Sequence, residues 1–145
     1  CRRLRTLGAD LTIDVSENDF VTEAMRVTNN RGVDVVLEMI GGEVYQKSLQ
    51  ALAPSGRLFS IGGAFGAAPD PPPALTEGRK ATRFSITNYL KAKPEDFKHL
   101  DAILKLGQEK KFDPGIGKSF PLSETRAAQR YLEGREHFGK VMLTM

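Results

Sequence analysis

The feature that most restricts the fold is an alternation that runs through the first sixty residues: a short apolar strand, a polar joint, an amphipathic helix, a glycine, then another strand. Segments 11–15, 33–39 and 57–61 carry the strand signal. Between the first two, Asp19 can cap a helix with Phe20, Ala24 and Val27 on one face, and Asn30-Arg31-Gly32 stops it. Between the next two, Gly42 precedes a helix with Tyr45, Leu49 and Leu52 on one face, closed by Pro54-Ser55-Gly56. Val35-Val36-Leu37 is an uninterrupted apolar run, which a strand covered by helices on both faces needs and an exposed antiparallel strand does not. The alternation therefore predicts an α/β fold on a parallel sheet with right-handed crossovers.

Beyond Ile61 the pattern breaks into a run from Gly62 to Pro73 with too many prolines for a helix or a central strand, which reads as a loop past the strand's carboxyl end. Segment 84–89 reads as a further strand. Lys93-Pro94-Glu95-Asp96 opens a long helix with Phe97, Leu100 and Leu104 inward and Lys110 and Lys111 at its end, an arrangement that suits the helix dipole. Asp113-Pro114-Gly115 breaks that helix, segment 119–122 is extended, and Ser123 caps a helix bearing Ala127, Ala128, Tyr131 and Leu132. Gly134 ends it, and Gly139-Lys140 leads into a strand at 141–144.

Composition narrows the function classes. With 145 residues, 40% hydrophobic and 27% charged, the chain can build a core without disulfides or a structural metal, and its single Cys1 provides no internal bridge and points to a reducing, cytoplasmic setting. A net charge of +3, from 21 basic and 18 acidic residues interspersed except at Arg2, Arg3 and Arg5, does not make a nucleic-acid surface. No apolar run reaches membrane-spanning length. The opening Cys1 to Gly8, with Leu4 and Leu7 one turn apart before a glycine, reads as the end of a helix whose beginning is absent, and predicts an excerpt or a truncated product.

Ligands of open parallel sheets bind outside the carboxyl ends of the strands, and two glycine pairs fall there, Gly41-Gly42 and Gly62-Gly63. Neither has the spacing of a dinucleotide fingerprint, and on pattern alone tight turns are the better account of both. His99 and His137 with one cysteine make no metal-ligand spacing. Glu38 ends a strand without a partner at a spacing that implies acid–base work, so it reads as structural. Lys140, between Gly139 and an apolar strand, reads as a solvated lysine unless a ligand approaches the glycine.

Five motifs occur in order from end to end: Leu7-Gly8-Ala9-Asp10 with Ile13-Asp14; Gly32-Val33-Asp34-Val35-Val36-Leu37-Glu38-Met39-Ile40-Gly41-Gly42; Leu52-Ala53-Pro54-Ser55-Gly56-Arg57; Phe120-Pro121-Leu122; and Gly139-Lys140-Val141. Together they resemble the medium-chain dehydrogenase/reductase superfamily, in its zinc-binding-dehydrogenase, quinone-oxidoreductase-like branch. The resemblance implies a partial Rossmann-type, doubly wound parallel sheet. Residues 1–93 would be its strands three to six, and residues 94–145 the carboxyl-terminal return into the catalytic domain. It implies NADP or NAD as cofactor, with contacts at Ile40 and Gly41, at Ile61, Gly62 and Gly63 beside the nicotinamide ribose, at Thr87 and Asn88 beside the carboxamide, and at Lys140 near the pyrophosphate. Asp14-Val15 stands where many NADPH-using members carry a tyrosine that helps hold the 2′-phosphate, so both cofactors stay open. The glycine-rich phosphate loop and the amino-terminal lobe with any zinc ligands would lie outside this sequence, which leaves no zinc ligands in the chain.

The implied activity of the complete protein is hydride transfer to a quinone or an activated enone. A zinc-dependent alcohol dehydrogenase, a non-catalytic NAD(P)H-binding protein and a truncated inactive product are the alternatives, with a quinone, enone or alcohol as small-molecule substrate. The stretch alone is expected to be inactive, and the complete protein a homodimer through the 84–89 edge. With strands one and two missing, segment 11–15 has no neighbour and the edge at 33–39 is bare, so the chain alone is expected to be marginally stable and prone to aggregate.

Overall fold

The computed structural model describes residues 1–62, 73–134 and 137–145. The chain divides into two compact units, Cys1–Ala92 and Lys93–Met145. The first contains α1 (Arg2–Thr6), α2 (Phe20–Val27), β1 (Val33–Glu38), α3 (Gly42–Gln50), β2 (Leu52–Ile61), β3 (Lys80–Phe84) and α4 (Ile86–Ala92). The second contains a 3-10 turn (Pro94–Phe97), α5 (Lys98–Gln108), β4 (Ile116–Pro121), a second 3-10 turn (Leu122–Glu124), α6 (Thr125–Glu133) and β5 (Lys140–Thr144). Both sheets are parallel, of order β1-β2-β3 and β4-β5, so the α/β class read from the alternation holds. No helix among the described residues is long and apolar enough to cross a membrane.

In the first unit the Asp19 carboxylate accepts the Thr22 backbone N–H at 3.0 Å and caps α2, as the sequence predicts. It also accepts from Lys47 Nζ at 3.1 Å, which ties the start of α2 to α3. Both donors hold the Asp19 carboxyl below the usual carboxylate range, the Thr22 N–H most strongly. At the far end the Thr28 hydroxyl donates to the Ala24 carbonyl at 2.7 Å and accepts the Gly32 N–H at 3.0 Å, closing the helix. Gly32, at φ +88°, then lies so close to the turn between α3 and β2 that a Cβ there would stand 2.7 Å from the Ala53 nitrogen and 2.8 Å from the Ala51 oxygen.

The core occupies one face of the sheet. Tyr45 from α3 packs with Leu52 and Leu58, and Val36, Leu49 and Ala81 close around them. Leu52 belongs to the first residue of β2 rather than to the helix face on which the sequence reading put it, yet it is fully buried. The Pro54-Ser55-Gly56 break is a bulge inside β2: pairing steps from Val33↔Leu52 to Val35↔Arg57 across it. The opposite face of β1 is bare, with Val35 47% and Leu37 65% exposed. The expectation of a strand covered on both sides is therefore corrected, because α3 covers one face and no described helix covers the other.

Two strand expectations also fail. Segment 11–15 forms no strand, while among the described residues β1 stays at the edge of its sheet, as expected. Local bonding wins there: the Ser16 N–H and hydroxyl both donate to Asp14 Oδ1, at 3.1 and 2.6 Å, and the Asn18 N–H donates to the Asp14 carbonyl at 2.9 Å, which folds the chain into a turn. Segment 84–89 is not a strand either. The chain pairs earlier, at Lys80–Phe84, and then turns into α4, where the Asn88 N–H reaches the Ser85 hydroxyl at 3.4 Å and the Tyr89 N–H donates to the Ser85 carbonyl at 2.9 Å. The charged Lys80 and Arg83 hide the strand signal, and Ser85 starts the helix.

In the second unit α6 packs on the β4–β5 pair through buried Phe120 and Ala128. The Tyr131 ring lies 5.7 Å from that of Phe120, and the Lys118 ammonium stands over both, 4.7 and 5.0 Å from their centres. Ser123 lies in the 3-10 turn and does not cap α6, which follows Glu124 without a side-chain cap.

Leu58→Ala, at a site 1% exposed, is expected to lower the urea unfolding free energy by about 2–5 kcal/mol. Leu37→Ser, on the bare face, should change it by no more than about 0.5 kcal/mol and reduce concentration-dependent light scattering.

Candidate functional site

The three strands of the first sheet end together. Glu38 of β1 is in register with Ser60 of β2, and Ile61 of β2 with Phe84 of β3, so the segments that follow them rise from one carboxyl edge. These are Met39 to Gly41 leading into α3, Gly62 beyond β2, and Ser85 leading into α4.

Glu38 organises the first of these segments. It is 3% exposed, and its Oε1 accepts the backbone N–H groups of both Ile40 and Gly41 at 2.6 Å each. Its Oε2 accepts the hydroxyl of Ser60, itself buried, at 3.2 Å. A buried carboxylate without a cation is tolerable only when its lone pairs are taken up in this way. The structural reading of Glu38 thus stands with specific partners. The sequence reading missed Ser60, whose only signal is its place one residue before the strand end. Below the loop, burial pushes the Tyr45 phenol up, and the nearby Glu38 carboxylate adds to the shift.

Ile40 stands exposed at the tip of this loop. Gly62 has φ +82°, a backbone conformation that favours glycine, and among the described residues a Cβ there would meet nothing within 4 Å. Thr87 and Asn88 are exposed on the first turn of α4, beside a groove of about 590 Å³ lined by Arg83, Phe84, Ser85, Asn88 and Tyr89. Ile40, Gly41, Ile61, Gly62, Thr87 and Asn88 thus belong to the same end of one sheet. Gly63 lies outside the described residues. Lys140 is in the second unit, exposed at the start of β5, where its N–H donates to the Gly115 carbonyl at 2.7 Å.

This edge fits a nicotinamide nucleotide in its chemistry. It places the positive-φ Gly62 beyond β2, and Thr87 and Asn88 offer side chains able to pair with an amide. For a metal the residues do not fit: no group of three or more His, Cys, Asp or Glu among the described residues could hold one. His99 lies 3.5 Å from Asp96, and the His137 ring 6.0 Å from that of Tyr131.

Comparison with known proteins bears out the resemblance carried by the five motifs. A family model described as zinc-binding dehydrogenase matches residues 7–143. The 2-haloacrylate reductase of Burkholderia sp is 32% identical over 144 residues, 96% of this chain and 43% of the relative. Quinone oxidoreductase-like protein 2 of Bos taurus is 26% identical over 152 residues, 100% of this chain and 42% of the relative. The crystal structure of CurK enoyl reductase matches with a TM-score of 0.79 at 29% identity, covering 99% of this chain and 44% of that one. The chain therefore spans less than half the length of these proteins.

The raised phenol has a consequence for stability. Folded Tyr45 holds its proton more tightly than the unfolded chain does, so its contribution is complete below pH about 10 and is lost as pH rises toward the folded value. Urea unfolding should show stability falling above pH about 10 in the wild type and a shallower fall in Tyr45→Phe.

Proposed function

We propose, since this chain belongs to the zinc-binding dehydrogenase family, that it is part of an NAD(P)H-dependent oxidoreductase that transfers hydride to a quinone or an activated enone. Residues 1–93 are then the second half of a dinucleotide-binding domain and residues 94–145 a carboxyl-terminal segment of the catalytic domain. The observation that carries the reading is the shared carboxyl edge, where a loop pinned by Glu38 and the positive-φ Gly62 follow adjacent parallel strands. The names of the relatives point to the acceptor class: a haloacrylate and an enoyl group are both activated carbon–carbon double bonds, and a quinone is their conjugated counterpart.

The nicotinamide, when bound, supplies the hydride, and the protein supplies orientation and electrostatics. In this reading Ile40, Gly41, Ile61, Gly62 and Gly63 line the ribose side, Thr87 and Asn88 pair with the carboxamide, and Lys140 serves the pyrophosphate. Thr87 and Asn88 between them offer both donors and acceptors, which a carboxamide needs if its ring is to present one face. The complete enzyme pairs as a homodimer through the outer edge of β3, which among the described residues pairs with β2 alone. A cytoplasmic setting accords with the nicotinamide cofactor and with the single cysteine.

Fluorescence titration of NADH and NADPH, run against this chain and against a complete protein that contains it, tests the reading. Saturable binding by the complete protein, with oxidation of the nucleotide on adding a quinone or a 2-haloacrylate, is expected. Binding of neither nucleotide by either form overturns it.

A further inference from the structure

We propose that Glu38 is a positioning residue that sets the nucleotide-facing loop after β1 against the carboxyl end of β2. The inference rests on the oxidoreductase reading above. Ile40 and Gly41 follow β1, and Gly62 follows β2, so nothing in the covalent chain within twenty residues makes these loops keep a fixed separation. Glu38 does so by bonding. Its Oε1 gathers the two N–H groups of the first loop, and its Oε2 takes the hydroxyl of Ser60, two residues before Gly62. In-register pairing of Glu38 with Ser60 brings the two residues side by side, so the side-chain bond adds a clamp where the ladder is about to end.

The chemistry of the clamp separates its role from that of charge. All three partners donate to Glu38, and what it supplies is acceptor oxygen at a fixed reach. A glutamine keeps that reach: its carbonyl oxygen can receive the Ile40 and Gly41 N–H groups, and its amide can donate to the Ser60 hydroxyl oxygen in place of accepting from it. Alanine leaves three polar groups at a buried site without a partner, and the loop must open to solvate them. Ser60→Ala leaves Oε1 engaged but frees the other end of the carboxylate. Loop geometry matters to a bound nucleotide because a displacement of about 1 Å is enough to spoil oriented contacts.

The test is amide hydrogen exchange by NMR on a complete protein that contains this chain, combined with titration of NADH and NADPH into the same samples. Glu38→Ala should deprotect the Ile40 and Gly41 amides while the β1–β2 ladder amides stay protected, and weaken nucleotide binding by about tenfold. Glu38→Gln should restore both protection and affinity to within about threefold, an outcome a role resting on charge would not give. If Glu38→Ala does not fold, Ser60→Ala carries the test, with an expected loss of affinity of about threefold and partial deprotection at residues 40 and 41. Wild-type binding with unchanged affinity in the folded variants overturns the positioning role and leaves the oxidoreductase reading intact. A wild-type complete protein that binds neither nucleotide removes both.

Discussion

The first unit depends on one close approach, that of Gly32 to the turn joining α3 to β2. The chain leaves α2, and before its next residue begins β1 it must pass so near the Ala51 to Ala53 backbone that no side chain fits between. The Val33 N–H then donates to the Ala51 carbonyl at 2.9 Å, and the parallel ladder of β1 with β2 starts from there. That ladder fixes which residues of the two strands lie abreast. It turns Val36 and Leu58 toward Tyr45, and it brings Glu38 beside Ser60 at the other end. The core and the carboxyl edge are thus two results of one register, since a slip of one residue would send both sets of side chains to the wrong face.

What could be read from the sequence was what depends on neighbours a few residues away. Asp19 as the cap of α2, the Gly41-Gly42 turn before α3 and the alternation that makes a parallel sheet are all local patterns, and they hold. The failures are places where tertiary pairing or local polar bonding decides. Segment 11–15 is apolar enough for a strand, but Asp14 and Ser16 bond to each other and no described strand takes it as a partner. Lys80 to Phe84 carries two basic residues and looks unlike a strand, yet it pairs because β2 offers it an edge. The Glu38–Ser60 contact spans twenty-two residues, and only the fold brings the two together.

The family match and the motifs agree because the motifs sit where backbone geometry is least forgiving. Gly32 lies where a Cβ would stand 2.7 Å from the Ala53 nitrogen, and Gly56 where one would stand 2.8 Å from the Ala53 oxygen. Such positions leave no room for a side chain whatever the substrate, so they report the fold rather than an acceptor. Fold alone does not fix the choice of acceptor.

The bare face of β1 bears on calorimetry as well as on association. Unfolding raises the heat capacity chiefly through apolar surface newly given to water, typically about 12–15 cal/mol/K per residue. Val35 and Leu37 are already in water in the folded chain, as are much of Leu7, Val15 and Met39. They gain less exposure on unfolding than buried residues do, so this chain unfolds with a smaller heat-capacity change than its length implies. Its stability then varies with temperature along a flatter curve, in which cold weakens the fold less than it does in a domain of equal size with both faces of its sheet covered.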